Sequence, residues 1–402
     1  MPRVLLLPGK QEAVRAGRPW VYRTEIAAVE GSPATGDVVT VADPRGRFLA
    51  TAFYHEHSVL AARLLTRDEG ERIDDAFFRR RLEAACALRA RLCADPGTCR
   101  LVFAEADGLP GLIADRFGAL IVVQTLVAGM EARLPRLCAD LAEITGVGDI
   151  YERNEGPIRR REGLEERSGP VLGTPPATAE IAEGALRIAV DLRHGQKTGH
   201  FLDQRDNRLV FGGLVHRLLV PAGAGRPPEV LDAFCNTGGF GLQALAAGAA
   251  RVLFLDSAVA AVEAALGNAR RNGLAGRAEG RVGNAFDELR ALGRAGAAWD
   301  AVVLDPPAFA RGRAQLDGAY RGYKDLNLHA MRLLRPGGLL CTCSCSQPVS
   351  QEMFSEMLRD AAADAGRRMR VLERRGAPMD HPGLLGADET QYLQCHFLLA
   401  AD

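Results

Sequence analysis

The sequence predicts an α/β protein with a parallel sheet in its C-terminal half, and three observations between residues 228 and 307 carry that prediction. Three short apolar runs end in acidic residues, at Asp232, Asp256 and Asp305. Helix-like stretches separate the runs, which is the βαβ pattern of a parallel sheet. A glycine turn, Asn236-Thr237-Gly238-Gly239-Phe240-Gly241, follows the first run. Ligands of such sheets bind beyond the carboxyl ends of the strands. The turn and the carboxylates therefore outline a site for a nucleotide-like cofactor.

The elements before the sheet are read in chain order. Residues 1–70 carry short alternating runs and turns such as Asp43-Pro44-Arg45-Gly46, which suggest a small β-barrel. Residues 71–92 have helical spacing. Strand-like runs at 99–103, 111–115 and 119–125 and a helix over 131–145 make 71–188 a central α+β domain. The third domain spans 189–402. It opens with the polar segment from His194 to Arg205, a helix over 203–219 and a Pro/Gly loop at 221–228. Its fifth strand is expected over 338–346, after a turn at Arg335-Pro336-Gly337.

Composition sets limits. The chain has 402 residues, 47% hydrophobic and 25% charged, which suits two or three soluble domains. The apolar run at 4–7 is too short for a secretory signal, and the stretch at 119–130 is too short to span a bilayer. A cytoplasmic protein with no membrane partner and reduced cysteines is expected. There is no C-x-x-C pair among the nine cysteines. Same-face neighbours on a strand, such as Cys341 and Cys343, lie about 6.6 Å apart, too far for one tetrahedral zinc or an unstrained disulfide. No metal is therefore expected. The formal net charge is zero, so no global basic field announces nucleic acid. The Arg159-Arg160-Arg161 run and Lys197 are local candidates for RNA phosphates. The alternative is a solvated run balanced by Glu162, Glu165 and Glu166. Lysine occurs only at Lys10, Lys197 and Lys324 in an arginine-rich chain. Lys197 and Lys324 are read either as sites where arginine cannot substitute or as chance survivors.

The cofactor can be narrowed. Asp256 ends the second strand, where a carboxylate can accept two ribose hydroxyls, a placement that fits NAD and S-adenosylmethionine equally. The turn lacks the G-x-G-x-x-G spacing that seats a pyrophosphate. The fourth strand runs into Asp305-Pro306-Pro307, a rigid turn with no N–H on either proline. Such a turn suits a flat polar base better than a phosphate, and it resembles the D-P-P element of class I methyltransferases. Cys345 is expected at the C-terminal end of the fifth strand beside that turn. A thiolate there suggests covalent nucleobase chemistry, with Asp305 protonating or hydrogen-bonding a ring nitrogen. The alternative is an inert buried cysteine. Cys341 and Cys343 are read as packing.

The chain as a whole resembles the bacterial large-subunit (23S) ribosomal RNA cytosine-C5 methyltransferases with an N-terminal PUA domain. The resemblance rests on Arg18-Pro19-Trp20-Val21-Tyr22 in the barrel, on residues 107–115 and on Lys197-Thr198-Gly199 with Asp203-Gln204-Arg205. It rests also on Arg321-Gly322-Tyr323-Lys324-Asp325-Leu326-Asn327 and on Ser344-Cys345-Ser346. It implies a Rossmann-like class I methyltransferase domain after a PUA-type barrel, with S-adenosylmethionine as cofactor and ribosomal RNA as partner; a homodimer stays open. It implies Cys345 as nucleophile with Asp305 beside it. The implied cofactor residues are Asp232, Phe234, Asn236, Thr237, Gly238 and Gly239, then Asp256, Ser257, Asn284, Ala285, Phe286 and Asp305. Asn284 stands where relatives often have aspartate, and its amide oxygen is expected to accept from the adenine amino group. The implied substrate residues are Pro306, Pro307, Phe309, Lys197, Arg205, Lys324 and Trp20. Two other readings remain: methylation of another RNA atom, and an RNA-binding assembly factor without catalysis.

Overall fold

A computed structural model describes residues 1–192, 198–220 and 226–401. Its contacts divide into two compact units. The first comprises Met1–Glu180, Val190–Leu202 and Met379–Thr390. The second comprises Ile181–Ala189, Asp203–Pro378 and Gln391–Asp402.

The first unit contains two sheets. One has six strands between Arg3–Leu6 and Leu60–Thr66, packed around Val4, Leu6, Val21, Val39 and Val41. Alternation of half-buried and buried residues, as over Val38–Val41 of the strand Val38–Ala42, gives the strand one face for that core. Trp20 points into the protein at 7% exposure, so its ring is not a surface platform for a base. The other sheet has five strands, with Leu112–Phe117 and Leu120–Thr125 near its middle, and is packed by helices Asp75–Leu92 and Leu134–Thr145. The first of these helices starts later than its spacing predicts, because Asp74 caps it by accepting from the Phe77 N–H at 3.0 Å. Strands Asp149–Asn154 and Arg167–Leu172 complete this sheet and were not foreseen.

The basic run at 159–161 needs correcting. Arg159 is 1% exposed, and its Nη1 pairs with Glu131 at 2.8 Å while also donating to the Thr125 carbonyl. It holds the fold together and cannot meet phosphate. Arg160 is exposed but paired with Glu166 at 2.8 Å.

The second unit is built on one seven-stranded sheet. Its strands are β1 (Glu229–Ala233), β2 (Arg251–Asp256), β3 (Ala278–Val282), β4 (Trp299–Leu304), β5 (Leu334–Ser344), β6 (Met369–Arg375) and β7 (Gln394–Ala400). The spatial order is β3-β2-β1-β4-β5-β7-β6. The first five are parallel, and β7 runs antiparallel to both β5 and β6. The central parallel strands are covered on both faces, which is why β1, β2 and β4 read as nearly continuous apolar runs. The helices are α1 (Arg205–Leu214), α2 (Gly239–Ala246), α3 (Val259–Arg271), α4 (Ala285–Arg294), α5 (Leu316–Leu333) and α6 (Gln351–Ala365). Past Leu214, α1 continues as π-helix over Val215–Leu219. One face of the sheet carries Leu231, Leu304, Leu340 and Leu398 against Tyr323, Leu326 and Phe354 of α5 and α6.

The expected turn at Arg335–Gly337 is a bulge inside β5. Trp299 pairs with Leu334, but Ala301 pairs with Leu339, so the extra residues loop out of the ladder. Gly337 takes φ +73° there. Among the described residues, no helix is long and apolar enough to cross a membrane.

Candidate active site

The strand order reverses between β1 and β4, and a crevice opens at such a switch point. The chain leaving β1 forms the cofactor side. Phe234 and Asn236 adopt left-handed backbone conformations, with φ +64° and +47°, before Gly238 at +86°. Each such non-glycine residue costs on the order of 1–3 kcal/mol and persists only where the surroundings dictate it. The surroundings do so here. The Cys235 N–H donates to the Leu255 carbonyl at 3.1 Å, and the Asn236 N–H donates to Asp256 Oδ2 at 3.0 Å. A Cβ on Gly238 would lie 2.9 Å from that of Ala265, so the position is closed to side chains. Its neighbour Gly239 opens α2, and a Cβ there would meet Arg208 Cδ at 2.4 Å.

Asp256 ends β2 half-buried. Its oxygens each take one backbone N–H, from Asn236 and from Ala258, both at 3.0 Å. Each oxygen keeps a lone pair for a ribose hydroxyl. Ser257 follows, exposed. Asp232 corrects the expectation of a direct cofactor ligand. It is 1% exposed, and its Oδ2 accepts from the Gly241 N–H at 2.8 Å. It ties the first turn of α2 to β1, and burial pushes its carboxyl up to about 7. Asn284 has a structural part as well. Its side-chain oxygen caps α4 by accepting from the Phe286 N–H at 2.9 Å. Ala285 is buried, while the half-buried Phe286 ring lies 5.9 Å from that of Phe309. Asn284 is exposed at the start of α4, next to Gly283, whose N–H donates to the Asp256 carbonyl at 2.9 Å. The strained turn, the closed glycines and the half-free carboxylate fit an adenosine-bearing cofactor.

The substrate side is the loop after β4. The Asp305 N–H donates to the Ala233 carbonyl at 3.4 Å, so the loop begins at the crevice. Burial pushes the Asp305 carboxyl well above the usual carboxylate range, and Cys343 and Asp203 add to this. A hydrogen bond from Gln204 and the charge of Arg208 work the other way. Pro306 is buried, Pro307 is exposed, and the half-buried Phe309 ring lies 4.6 Å from Tyr323.

Cys345 is the residue after the end of β5 and is half-buried, with Sγ 3.8 Å from the Pro306 carbonyl oxygen. The serines on either side fasten it to the neighbouring loop. Ser346 Oγ accepts from the Phe309 and Ala310 N–H groups at 2.9 and 3.1 Å. It also lies 2.9 Å from the Tyr323 hydroxyl, to which Ser344 donates at 3.0 Å. Sequence reasoning quoted Tyr323, Ser344 and Ser346 but missed this role. Their signal was hydroxyls clustered around one cysteine.

Deeper in β5, Cys341 and Cys343 are fully buried, as is Cys395 of β7, directly opposite Cys343. The three sulfurs lie within 4.8 Å of one another, and Cys341 and Cys395 are 3.7 Å apart. The same-strand spacing argument against a shared ion therefore fails here, because the side chains bring all three sulfurs together despite the backbone spacing. Burial pushes Cys341 and Cys343 well above the usual thiol range. A triple thiolate would also stand beside half-buried Asp305, with like charges opposing one another.

The remaining substrate residues divide. Lys324 pairs with Asp364 of α6 at 2.8 Å. Arg205 Nε donates to Asp206 at 2.9 Å. Lys197, with the rest of residues 193–197, lies outside the described residues.

Comparisons with known proteins agree with this geometry. Residues 4–67 match the model of a PUA-like domain, and residues 160–394 match that of an S-adenosylmethionine-dependent methyltransferase. A solved S-adenosylmethionine-dependent methyltransferase from Streptococcus mutans shares the fold at TM-score 0.82 and 17% identity, covering 99% of this chain and 100% of its own. The fold and the site thus define an S-adenosylmethionine-dependent methyltransferase that carries a PUA-like domain. Among curated relatives, ribosomal RNA large subunit methyltransferase I of Klebsiella pneumoniae strain 342 is 38% identical over 98% of this chain and 97% of its own length. The Escherichia coli K12 protein of that name is 37% identical over 98% of each chain. The chain belongs to the ribosomal RNA large subunit methyltransferase I family.

Proposed function

We propose that this enzyme forms 5-methylcytidine in large-subunit ribosomal RNA through a covalent adduct on Cys345. The observation that carries the reading is the placement of Cys345. It is half-buried where the neighbouring cysteines of β5 are fully buried, and its Sγ sits against the loop that Asp305 begins. Ribosomal RNA as the substrate class follows from the relatives' activity.

Cytosine C5 is a poor nucleophile. The Cys345 thiolate adds to C6, so an S–C6 bond forms and the C5=C6 double bond opens, leaving C5 enamine-like. Protonated Asp305 gives its proton to N3 and neutralises the charge developing on the ring. S-adenosylmethionine supplies the electrophilic methyl group that C5 takes. A base then removes the C5 proton, N3 returns its proton to Asp305, the C5=C6 bond re-forms, and the S–C6 bond breaks to release the thiolate. Asp256 and the strained turn at 234–238 would hold the cofactor, and the Phe309 edge with Pro307 would bound the base.

The test is mass mapping of large-subunit ribosomal RNA from cells with and without the gene. One cytidine should lose 14 mass units (one CH₂) on deletion, and the full-length enzyme should restore it as 5-methylcytidine. A lost methyl group on an exocyclic amine, or on no cytidine, would overturn the reading.

A further inference from the structure

We propose that Gln204, held by Asn207 and Arg375, is a positioning residue that fixes which oxygen of Asp305 faces the substrate. This rests on the acid role given to Asp305 above. Gln204 Nε2 donates to Asp305 Oδ1 at 2.9 Å, and Gln204 Oε1 accepts from Asn207 Nδ2 at 2.7 Å. A side-chain amide can present either end, so this pair alone sets no direction. The direction comes from partners that have no choice. Asn207 Oδ1 accepts from Arg375 Nε at 3.0 Å, and a guanidinium only donates. Asn207 Nδ2 also donates to the Gly376 carbonyl at 3.1 Å, and a carbonyl only accepts.

Turning Asn207 over would set N–H against N–H and oxygen against oxygen. Asn207 must therefore offer an N–H to Gln204, and Gln204 must offer one to Asp305. Gln204 and Asn207 are 2% and 0% exposed, so water cannot take either partner's place. They stand three residues apart at the start of α1, on one helix face.

The chemical consequence is specific. Oδ1 of Asp305 receives an N–H, so the proton of the neutral acid sits on Oδ2. The acid then presents one defined O–H to the ring. The other charged or titratable groups around it are Asp203 and Arg208 about α1, Asp232 of β1, Cys343 of β5 and Cys395 of β7. Gln204 favours the ionised carboxylate against burial. Without it, the group should hold its proton to higher pH.

The experiment follows kcat against pH at saturating cofactor and RNA for the full-length wild type, Gln204→Leu and Asn207→Asp. Asn207→Asp keeps an acceptor for Arg375 but has no N–H for Gln204. In both variants kcat should fall about tenfold or more, with a smaller change in KM. The descending limb set by Asp305 should move to higher pH. A uniform loss of kcat with the limb in place would overturn the relay and leave Gln204 as packing. If Gln204→Leu does not fold, Asn207→Asp carries the same comparison. RNA bearing 5-fluorocytidine is run alongside with wild type. An adduct with an unmoved limb sinks the relay alone. No adduct from an active wild type sinks the acid role and the relay with it.

Discussion

Cys345 and Cys343 stand two residues apart in the same segment, yet their burial and their partners differ. Cys343 lies inside β5, opposite Cys395 and near Cys341, at 0% exposure. Cys345 lies one residue past the strand end, half-buried, with Ser346 bonded to the loop that Asp305 begins and both flanking serines bonded to Tyr323. The comparison teaches that reactivity here comes from where the strand stops. A thiol in the ladder is a small hydrophobe with an S–H. A thiol at the carboxyl end of a parallel strand meets the crevice.

Substitutions at Cys345 and at Cys341, which shares the buried cluster of Cys343, should separate these roles. The largest effect is expected at Cys345. Cys345→Ser should lower kcat by at least about a thousandfold, because serine is far less nucleophilic at neutral pH, while cofactor affinity measured by calorimetry stays near wild type. Cys341→Ser, in the buried cluster, should retain turnover but lose about 1–3 kcal/mol of stability in denaturant unfolding, since a hydroxyl replaces a thiol in a closed apolar site. Equal kinetic losses at the two positions would erase the distinction.

The cofactor side sharpens the comparison, because its two carboxylates also differ by position. Asp256→Ala should weaken S-adenosylmethionine binding by about ten- to over a hundredfold, the equivalent of roughly 1.5–3 kcal/mol for lost charge-assisted bonds. Unchanged calorimetric affinity in a folded variant would remove Asp256 from the site. Asp232 should show itself in stability. Its folded carboxyl is raised to about 7 by burial, so the folded state holds its proton more tightly than the unfolded chain. Its contribution is therefore full below the ordinary carboxylate range and is lost as pH rises towards 7. Asp232→Asn keeps an acceptor for the Gly241 N–H and should flatten that part of the stability–pH curve. A profile identical to wild type between about pH 4 and about pH 7 would contradict it.

These contrasts mark what the sequence could convey. The parallel strands were legible because burial on both faces writes itself as apolar runs ending at Asp232, Asp256 and Asp305. The glycine turn was legible because Gly238 needs a left-handed backbone and has no room for a side chain. Long-range partners were not legible. Nothing local tells that Arg159 is buried against Glu131 and Thr125, so the basic run looked like a phosphate contact. Nothing local sets Cys395 against Cys343 from a distant strand. The Arg335-Pro336-Gly337 turn signal was genuine, but the strand resumes pairing beyond it in a shifted register and absorbs it as a bulge. The Asn284 oxygen caps α4, a part that its reading as an adenine contact did not include.

The central claim is that Cys345 becomes covalently bonded to the target base. RNA carrying 5-fluorocytidine at the target blocks loss of the C5 substituent and traps that bond. Incubated with S-adenosylmethionine and run on a denaturing gel, the wild type and Cys341→Ser should each give a protein–RNA band, and Cys345→Ser should give none. A band that persists in Cys345→Ser, or no band from a wild type that methylates ordinary RNA, would contradict the account.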